Sequence, residues 1–283
     1  MKKILSILML SFVLASCSQA NNPFKTNDLP PQEDSLKLTD ETEDWRKKYD
    51  YIEEFSEGMA GVKLNYKWGL VNQIGEVVIP LKYDGAGLFS EGLGIVKLNG
   101  KSGFIDKSGK EVIPLKYDEL SCFSDGLACV KLNDKWGFIN KSGAEVIPLK
   151  YDDVRDFKKG MTVVRLNGKY GFINKSGKEV SSFKYDEASS FSEGMGRVKL
   201  NDKYGFVNKS GVEVIPLKYD DVRDFHEGMA GIELNGQWGF INKNGEEVIS
   251  QKYDEVTCFY NGKAIVNLNG RGFFIDKNGN KIK

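Results

Sequence analysis

Between Leu93 and Asp118 short apolar runs alternate with turn-forming residues. Leu93, Val96 and Leu98 make one strand pattern, and Asn99-Gly100 follows it. That dipeptide suits a two-residue type I′ hairpin turn, because both of its positions accept positive φ. A second strand centres on Phe104 and Ile105, and Asp106-Lys107-Ser108-Gly109 suits a longer hairpin loop with a left-handed glycine. Val112, Ile113, Leu115 and Tyr117 form a third strand. Pro114 lies inside it and has no N–H for a ladder, so this strand belongs at an edge or carries a bulge. The segment reads as a three-stranded meander, with a further short segment leading to Phe123. Ile113, Leu115 and Tyr117 fall on one face, Val112 and Pro114 on the other. Apolar residues on both faces imply neighbours on both sides.

The pattern repeats along the chain. Lys-Tyr-Asp places its tyrosine at Tyr49, Tyr83, Tyr117, Tyr151, Tyr185, Tyr219 and Tyr253, always 34 residues apart. A phenylalanine follows in phase from Phe55 to Phe259, and so does a glycine from Gly58 to Gly262. Asn-Gly turns recur at Asn167-Gly168, Asn235-Gly236 and Asn269-Gly270, with Asn133-Asp134 and Asn201-Asp202 in kind. A period of 34 also belongs to a helical repeat, but these contents are strands and turns. The fold class is therefore all-β: seven tandem 34-residue β-meander repeats over residues 46–283.

The segments Lys67-Trp68-Gly69, Lys135-Trp136-Gly137-Phe138-Ile139-Asn140 and Gln237-Trp238-Gly239-Phe240-Ile241-Asn242, each followed by a glycine turn and a Val-Ile strand, resemble the bacterial WG (KWG) repeat. Ser102 and Gly272 stand in place of the tryptophan, Tyr170 and Tyr204 substitute another aromatic, and Phe273 replaces the glycine. The resemblance covers residues 46–283. It implies a β-repeat scaffold on bacterial surface or envelope proteins, without a uniform activity and with no catalytic residues to carry over.

The last copy stops at Lys283, where Lys110 to Ile113 have their counterpart, and the first begins with Arg46 to Asp50, matching Pro114 to Asp118. One terminus is thus in phase to complete the strand that the other begins. A propeller-like closed ring, which protects sheet edges, is favoured over an open β-repeat superhelix.

Composition narrows the function. The 283 residues carry 40 Lys and Arg against 40 Asp and Glu, so no net charge steers the chain onto nucleic acid. One histidine excludes sites built on two or three imidazoles. At the N-terminus, Lys2 and Lys3 precede an apolar run from Ile4 to Ala15, too short to span a bilayer as a helix. The run ends in Leu14-Ala15-Ser16-Cys17, which resembles the lipobox of bacterial lipoproteins. Residues 1–16 read as a lipoprotein signal peptide, and Cys17 as the lipid attachment site. Residues 17–45 read as the lipidated N-terminus and a flexible tether, whose coil reach is about 30 Å. Ser18, in place of an aspartate, is similar to outer-membrane cargo. The expected place is the cell envelope, at the outer membrane where one exists.

Candidate chemistry is sought where copies differ. The recurring aromatic position, occupied by Trp68, Trp136, Tyr170, Tyr204 and Trp238, offers ring faces for a ligand such as a sugar, and packing between units is the competing role. Asp152, Asp153 and Asp156 lie beside Arg155, and Asp220, Asp221 and Asp224 beside Arg223, which points to internal ion pairs rather than calcium. His226 reads as a loop residue. Cys122 and Cys129 flank a turn and are close enough in sequence to pair, although a small buried thiol suits each, while Cys122 and Cys258 share one repeat position four copies apart and are not expected to be neighbours. No cofactor, metal or catalytic set is expected. The leading expectation is a non-enzymatic envelope lipoprotein acting as a protein–protein interaction scaffold; the alternative is cell-wall or glycan binding through the recurring aromatics.

Overall fold

The computed structural model describes residues 45–282. The signal segment, Cys17 and the tether up to residue 44 lie outside the described residues. Trp45, placed in the tether by the sequence reading, instead opens the folded part in a 3-10 turn, Trp45–Lys48.

Two compact units are formed, residues 45–132 with 140–144, and residues 133–139 with 145–282. The first unit contains β1 (Tyr51–Ile52), β2 (Met59–Leu64), β3 (Lys67–Asn72) and β4 (Val77–Tyr83), then β5 (Gly85–Ser90), β6 (Leu93–Leu98), β7 (Lys101–Ile105) and β8 (Glu111–Tyr117), and β9 (Glu119–Leu120) with β10 (Leu127–Leu132). The second begins with β11 (Lys135–Asn140) and β12 (Glu145–Tyr151), followed by β13 (Asp153–Val154), β14 (Met161–Leu166) and β15 (Lys169–Asn174). It continues through β16 (Glu187–Ala188), β17 (Met195–Leu200), β18 (Lys203–Asn208) and β19 (Glu213–Tyr219), and β20 (Asp221–Val222), β21 (Met229–Leu234), β22 (Gln237–Asn242) and β23 (Glu247–Tyr253). It ends with β24 (Glu255–Val256), β25 (Ala264–Leu268), β26 (Arg271–Ile275) and β27 (Lys281–Ile282).

Each copy that lies wholly within one unit, apart from the fourth, is an antiparallel sheet of four strands in sequence order, such as β5-β6-β7-β8. The three-strand meander gains a fourth strand at its start, made by the segment that leads to the recurring phenylalanine. The hairpins form where the sequence places them: Asn99 and Gly100 have φ of 52° and 78°. In the longer loops the Asp106 carboxylate accepts the backbone N–H groups of Ser108 and Lys110, an Asx turn that fixes the chain reversal.

The glycine of the Trp-Gly pair has a steric cause. In the first, second, third, fifth and sixth sheets the last strand crosses the preceding one with register shifts, as at Ser102/Phe104 and Phe104/Ile105, and its backbone comes close there. A Cβ on Gly103 would lie 2.5 Å from the Ile113 carbonyl oxygen, and one on Gly205 would lie 2.5 Å from that of Ile215. No side chain fits. Pro114 sits in this last strand, where the edge and the bulge expected of it both occur.

Two copies depart. In the fourth, Ser181-Ser182-Phe183 replaces Ile-Pro-Leu, and only isolated bridges, Tyr170↔Tyr185 and Ile173↔Glu179, remain of the last strand. In the seventh, β27 ends at Ile282 after pairing with Phe274 and Ile275. There Phe273 takes the glycine position and packs edge-on to Tyr253, with centroids 6.3 Å apart. Residues 45–48 join no sheet, so they do not supply the strand that the sequence reading gave them in the last copy.

The core lies between successive sheets within each unit. Phe104 meets Phe123 at 4.8 Å, Phe138 meets Phe157 at 4.8 Å, Phe206 meets Phe225 at 4.9 Å and Phe240 meets Phe259 at 4.9 Å. Hydroxyls tie the same junctions: Ser90 Oγ donates to the Phe123 carbonyl at 2.8 Å, and Ser192 Oγ to that of Phe225 at 2.6 Å.

Candidate functional site

Cross-strand register places every recurring aromatic against the Lys-Tyr-Asp tyrosine of its own copy. Trp68 pairs with Tyr83, Trp136 with Tyr151, Tyr204 with Tyr219 and Trp238 with Tyr253, and Tyr170 bridges to Tyr185. On the other neighbouring strand a cation faces the ring. Lys63 Nζ lies 5.8 Å from the Trp68 centroid, Arg165 Cζ 5.8 Å from Tyr170 and Lys199 Nζ 5.2 Å from Tyr204. Trp238 is 5% exposed, with Arg223 stacked 4.6 Å over its ring, so its face is closed to a ligand. The other four are half-buried.

Two of the five come together. Tyr170 and Tyr204 line one cleft of about 210 Å³ in the second unit, with Arg155, Glu187, Arg197 and Lys199 around them. Lys199 pairs with Glu187 at 3.2 Å and with Asp202 at 3.4 Å, and the Glu187 carboxylate is the largest influence holding the Lys199 ammonium above its usual pKa. Arg197 donates to the Val222 carbonyl and approaches Asp224 at 3.8 Å. Arg155 makes no ion pair among the described residues, and the Arg165 Nε, opposite Tyr170, is buried with no hydrogen-bond partner. The cleft thus offers two phenol rings and more positive than negative charge, which suits an anionic or planar group. Arg197, Lys199 and Glu187 were not foreseen, since nothing in one copy reveals which positions of the next copy face it.

The carboxylate clusters act within the scaffold. Asp152 bonds Lys135 at 2.7 Å and caps the Gly168 N–H at 3.0 Å, which holds its carboxyl below the ordinary range. Asp220 does the same with Lys203 and Asn235. The expected ion pair within the first cluster is therefore replaced by Lys135–Asp152, whereas Arg223 does approach Asp221 at 3.8 Å. Neither Cys129 nor Cys258 is in a disulfide, and the Cys129 Sγ is 2.9 Å from Ser121 Oγ, so the pairing of Cys122 with Cys129 is not made. His226 is an exposed turn residue whose backbone pairs with Met229.

Glu53 sits in the first sheet with Oε2 buried and unpartnered. Burial pushes its pKa up to about 7. A Cβ on Gly61 would lie 2.7 Å from that oxygen and 3.4 Å from the Trp68 ring, so the missing side chain makes room for the carboxyl beside the indole.

Comparison with known proteins gives a family and a fold. Seven segments, 47–68, 68–101, 103–136, 136–170, 170–204, 204–238 and 238–271, match the family described as WG containing repeat. No curated protein matches the chain in sequence. Among solved structures, a eukaryotic initiation factor is similar over 83% of this chain and 75% of its own, with a TM-score of 0.52 and 12% identity, which is a likeness of fold alone. Kluyveromyces lactis Hsv2 aligns with 79% of this chain and 93% of its own at a TM-score of 0.39 and 10% identity. PorZ, a bacterial surface component of the type-IX secretion system of Porphyromonas gingivalis, aligns with 83% of this chain and 37% of its own at 0.35 and 10% identity. These last two are too distant to inform the comparison.

Proposed function

Because the chain belongs to the WG containing repeat family, we propose that it is a non-enzymatic interaction scaffold of the bacterial envelope, held to the membrane by a lipid on Cys17. The observation that carries this reading is how the repeated polar groups are spent. Asp84 binds Lys67 and caps the Asn99 N–H, Asp186 binds Lys169 and caps the Asn201 N–H, and the serine hydroxyls bind the next sheet's backbone. Each recurrent side chain stiffens the array, and the positions that vary between copies remain for recognition. The lipobox-like Leu14-Ala15-Ser16-Cys17 supports the anchor, and the aromatics support glycan binding as the second reading through Trp68, Trp136, Tyr170 and Tyr204.

In this proposal the array also closes on itself. Internal sheets pack a phenylalanine pair at most junctions, with Leu70 and Phe89 at the first, but Phe274, the counterpart of the fully buried Phe240, is 47% exposed, and Phe55, the counterpart of Phe259, is 37% exposed. Each end therefore carries the half of the pair that the other lacks. Gln73 is the one neutral residue at a position that is lysine in the other six copies, and Asn261 is the one neutral residue where the others are charged. Closure would set these two against each other. Trp45 supports the same phase: its ring covers Gly75 as Ile79 covers Gly109. Closure of this kind joins sheet faces, because residues 45–48 join no sheet and so complete no strand of the last copy.

The test compares the full chain with Cys17→Ser, and with a variant carrying Trp68→Ala, Trp136→Ala, Tyr170→Ala and Tyr204→Ala, in bacterial membrane fractions and with isolated peptidoglycan sacculi. Membrane sedimentation lost in Cys17→Ser, with no pelleting by sacculi, is the expected result. Saturable pelleting that disappears in the folded aromatic variant would replace the scaffold by a wall binder.

A further inference from the structure

Neighbouring sheets are joined by a repeated carboxylate clamp. The acid that opens each Glu-Gly turn accepts the N–H of the equivalent glycine in the next copy and faces a lysine in that copy's long loop. Glu57 accepts from Gly92 at 3.1 Å and lies 3.3 Å from Lys107 Nζ. Glu91 holds Gly126 at 3.2 Å and Lys141 at 3.0 Å. Glu193 holds Gly228 at 2.9 Å and Lys243 at 3.0 Å, and Glu227 holds Gly262 at 2.9 Å and Lys277 at 3.2 Å.

The fourth copy inverts the clamp. Lys159 stands in the place of the glutamate, while Gly194 and Lys209 keep the donor places. The turn itself is unchanged, with φ of 52° at Lys159 against 51° at Glu57 and 50° at Glu193. Among the described residues the Gly194 N–H has no acceptor, and Lys159 and Lys209 have no ion pair. Lys158, Lys159 and Lys209 are all exposed. The donors that hold a carboxylate at four other junctions are retained here, and the carboxylate is replaced by another cation.

We propose that this junction binds an acidic segment of a partner protein. One Glu or Asp side chain of that segment takes the place that the chain's own glutamate fills elsewhere, accepting the Gly194 N–H and pairing with Lys159 and Lys209. A carboxylate is the group the site is shaped for, because the same backbone frame holds one four times over. Exposed ion pairs are individually weak and screened by salt, so a single anion is held poorly, and a segment presenting several carboxylates to the three lysines is held better. The cleft at the same pair of copies adds Arg155, also without an ion pair, three residues before Lys158. The inference rests on the scaffold reading and names the kind of partner it takes.

The experiment titrates the full chain with a fluorescent octaglutamate peptide at low and at physiological salt, with acetate, inorganic phosphate and polygalacturonate as competitors. Lys159→Glu rebuilds the internal clamp, so it should fold at least as stably as the parent and weaken peptide binding about tenfold or more. Lys209→Gln should weaken it similarly, and Lys178→Gln, on a neighbouring loop, should not. Parent-like binding by Lys159→Glu would overturn the proposal, and so would binding of polygalacturonate or phosphate without binding of octaglutamate. Failure of the peptide to bind at all would end this inference and leave the scaffold reading to its membrane and sacculus assays.

Discussion

Glu53 shows how one substitution in a repeat acquires its own chemistry. Its carboxyl is taken out of water beside Trp68, and burial alone lifts its pKa to about 7. The folded state then holds a proton that the unfolded chain releases near its ordinary value of about 4.3. Stability is therefore full below that lower value and falls as pH rises through 7. Discounted for partial exposure, the loss should be about 1–2 kcal/mol between pH 5 and pH 8, and Glu53→Gln should abolish it; urea midpoints of both proteins at the two pH values give the comparison. An equal pH slope in parent and variant would remove Glu53 as the cause. At this scale the sequence was legible wherever a residue meets only its own neighbours. Asn99-Gly100 announces its turn because positive φ is a local matter. Glu53 announces nothing, because its burial depends on Gly61 and Trp68 in other strands.

At the scale of the strand, the glycine after the recurring aromatic decides how closely the last strand packs. Gly205→Ala would set its Cβ 2.5 Å from the Ile215 carbonyl oxygen, and overpacking against backbone should cost about 1–3 kcal/mol. Gly272→Ala meets nothing within 4 Å and should change stability by less than about 0.5 kcal/mol. Denaturant unfolding of the two variants separates the cases; equal costs would mean that the strand approach does not require the glycine. Recurrence made the Trp-Gly pair conspicuous, yet the reason for its glycine lay in a bulged crossing that no single strand pattern reveals. The four-strand sheets were likewise only partly legible, since first strands such as Glu187–Ala188 are two residues long and too short to show alternation. Trp238 was read as a ligand candidate because its sequence matches that of Trp68, and Arg223, which directly follows the copy's first strand, closes its face.

For the whole molecule, the seven copies and their phase were legible because the period never slips. What joins the copies was not, because the acid and lysine of each clamp are 50 positions apart and meet only through sheet stacking. The proposed closure is the claim on which the shape and rigidity of the scaffold depend, and it concerns the two ends most. In an open array each terminal sheet has one neighbour fewer, so it should unfold locally before the interior does. A closed array gives every sheet two neighbours. Native-state hydrogen exchange of the full chain measures this directly at the amides of β2 and β3 in the first sheet and β25 and β26 in the last. Closure predicts that these amides open with the same free energy as those of β17, β18, β21 and β22. Protection that falls progressively from the central sheets toward both ends would contradict it.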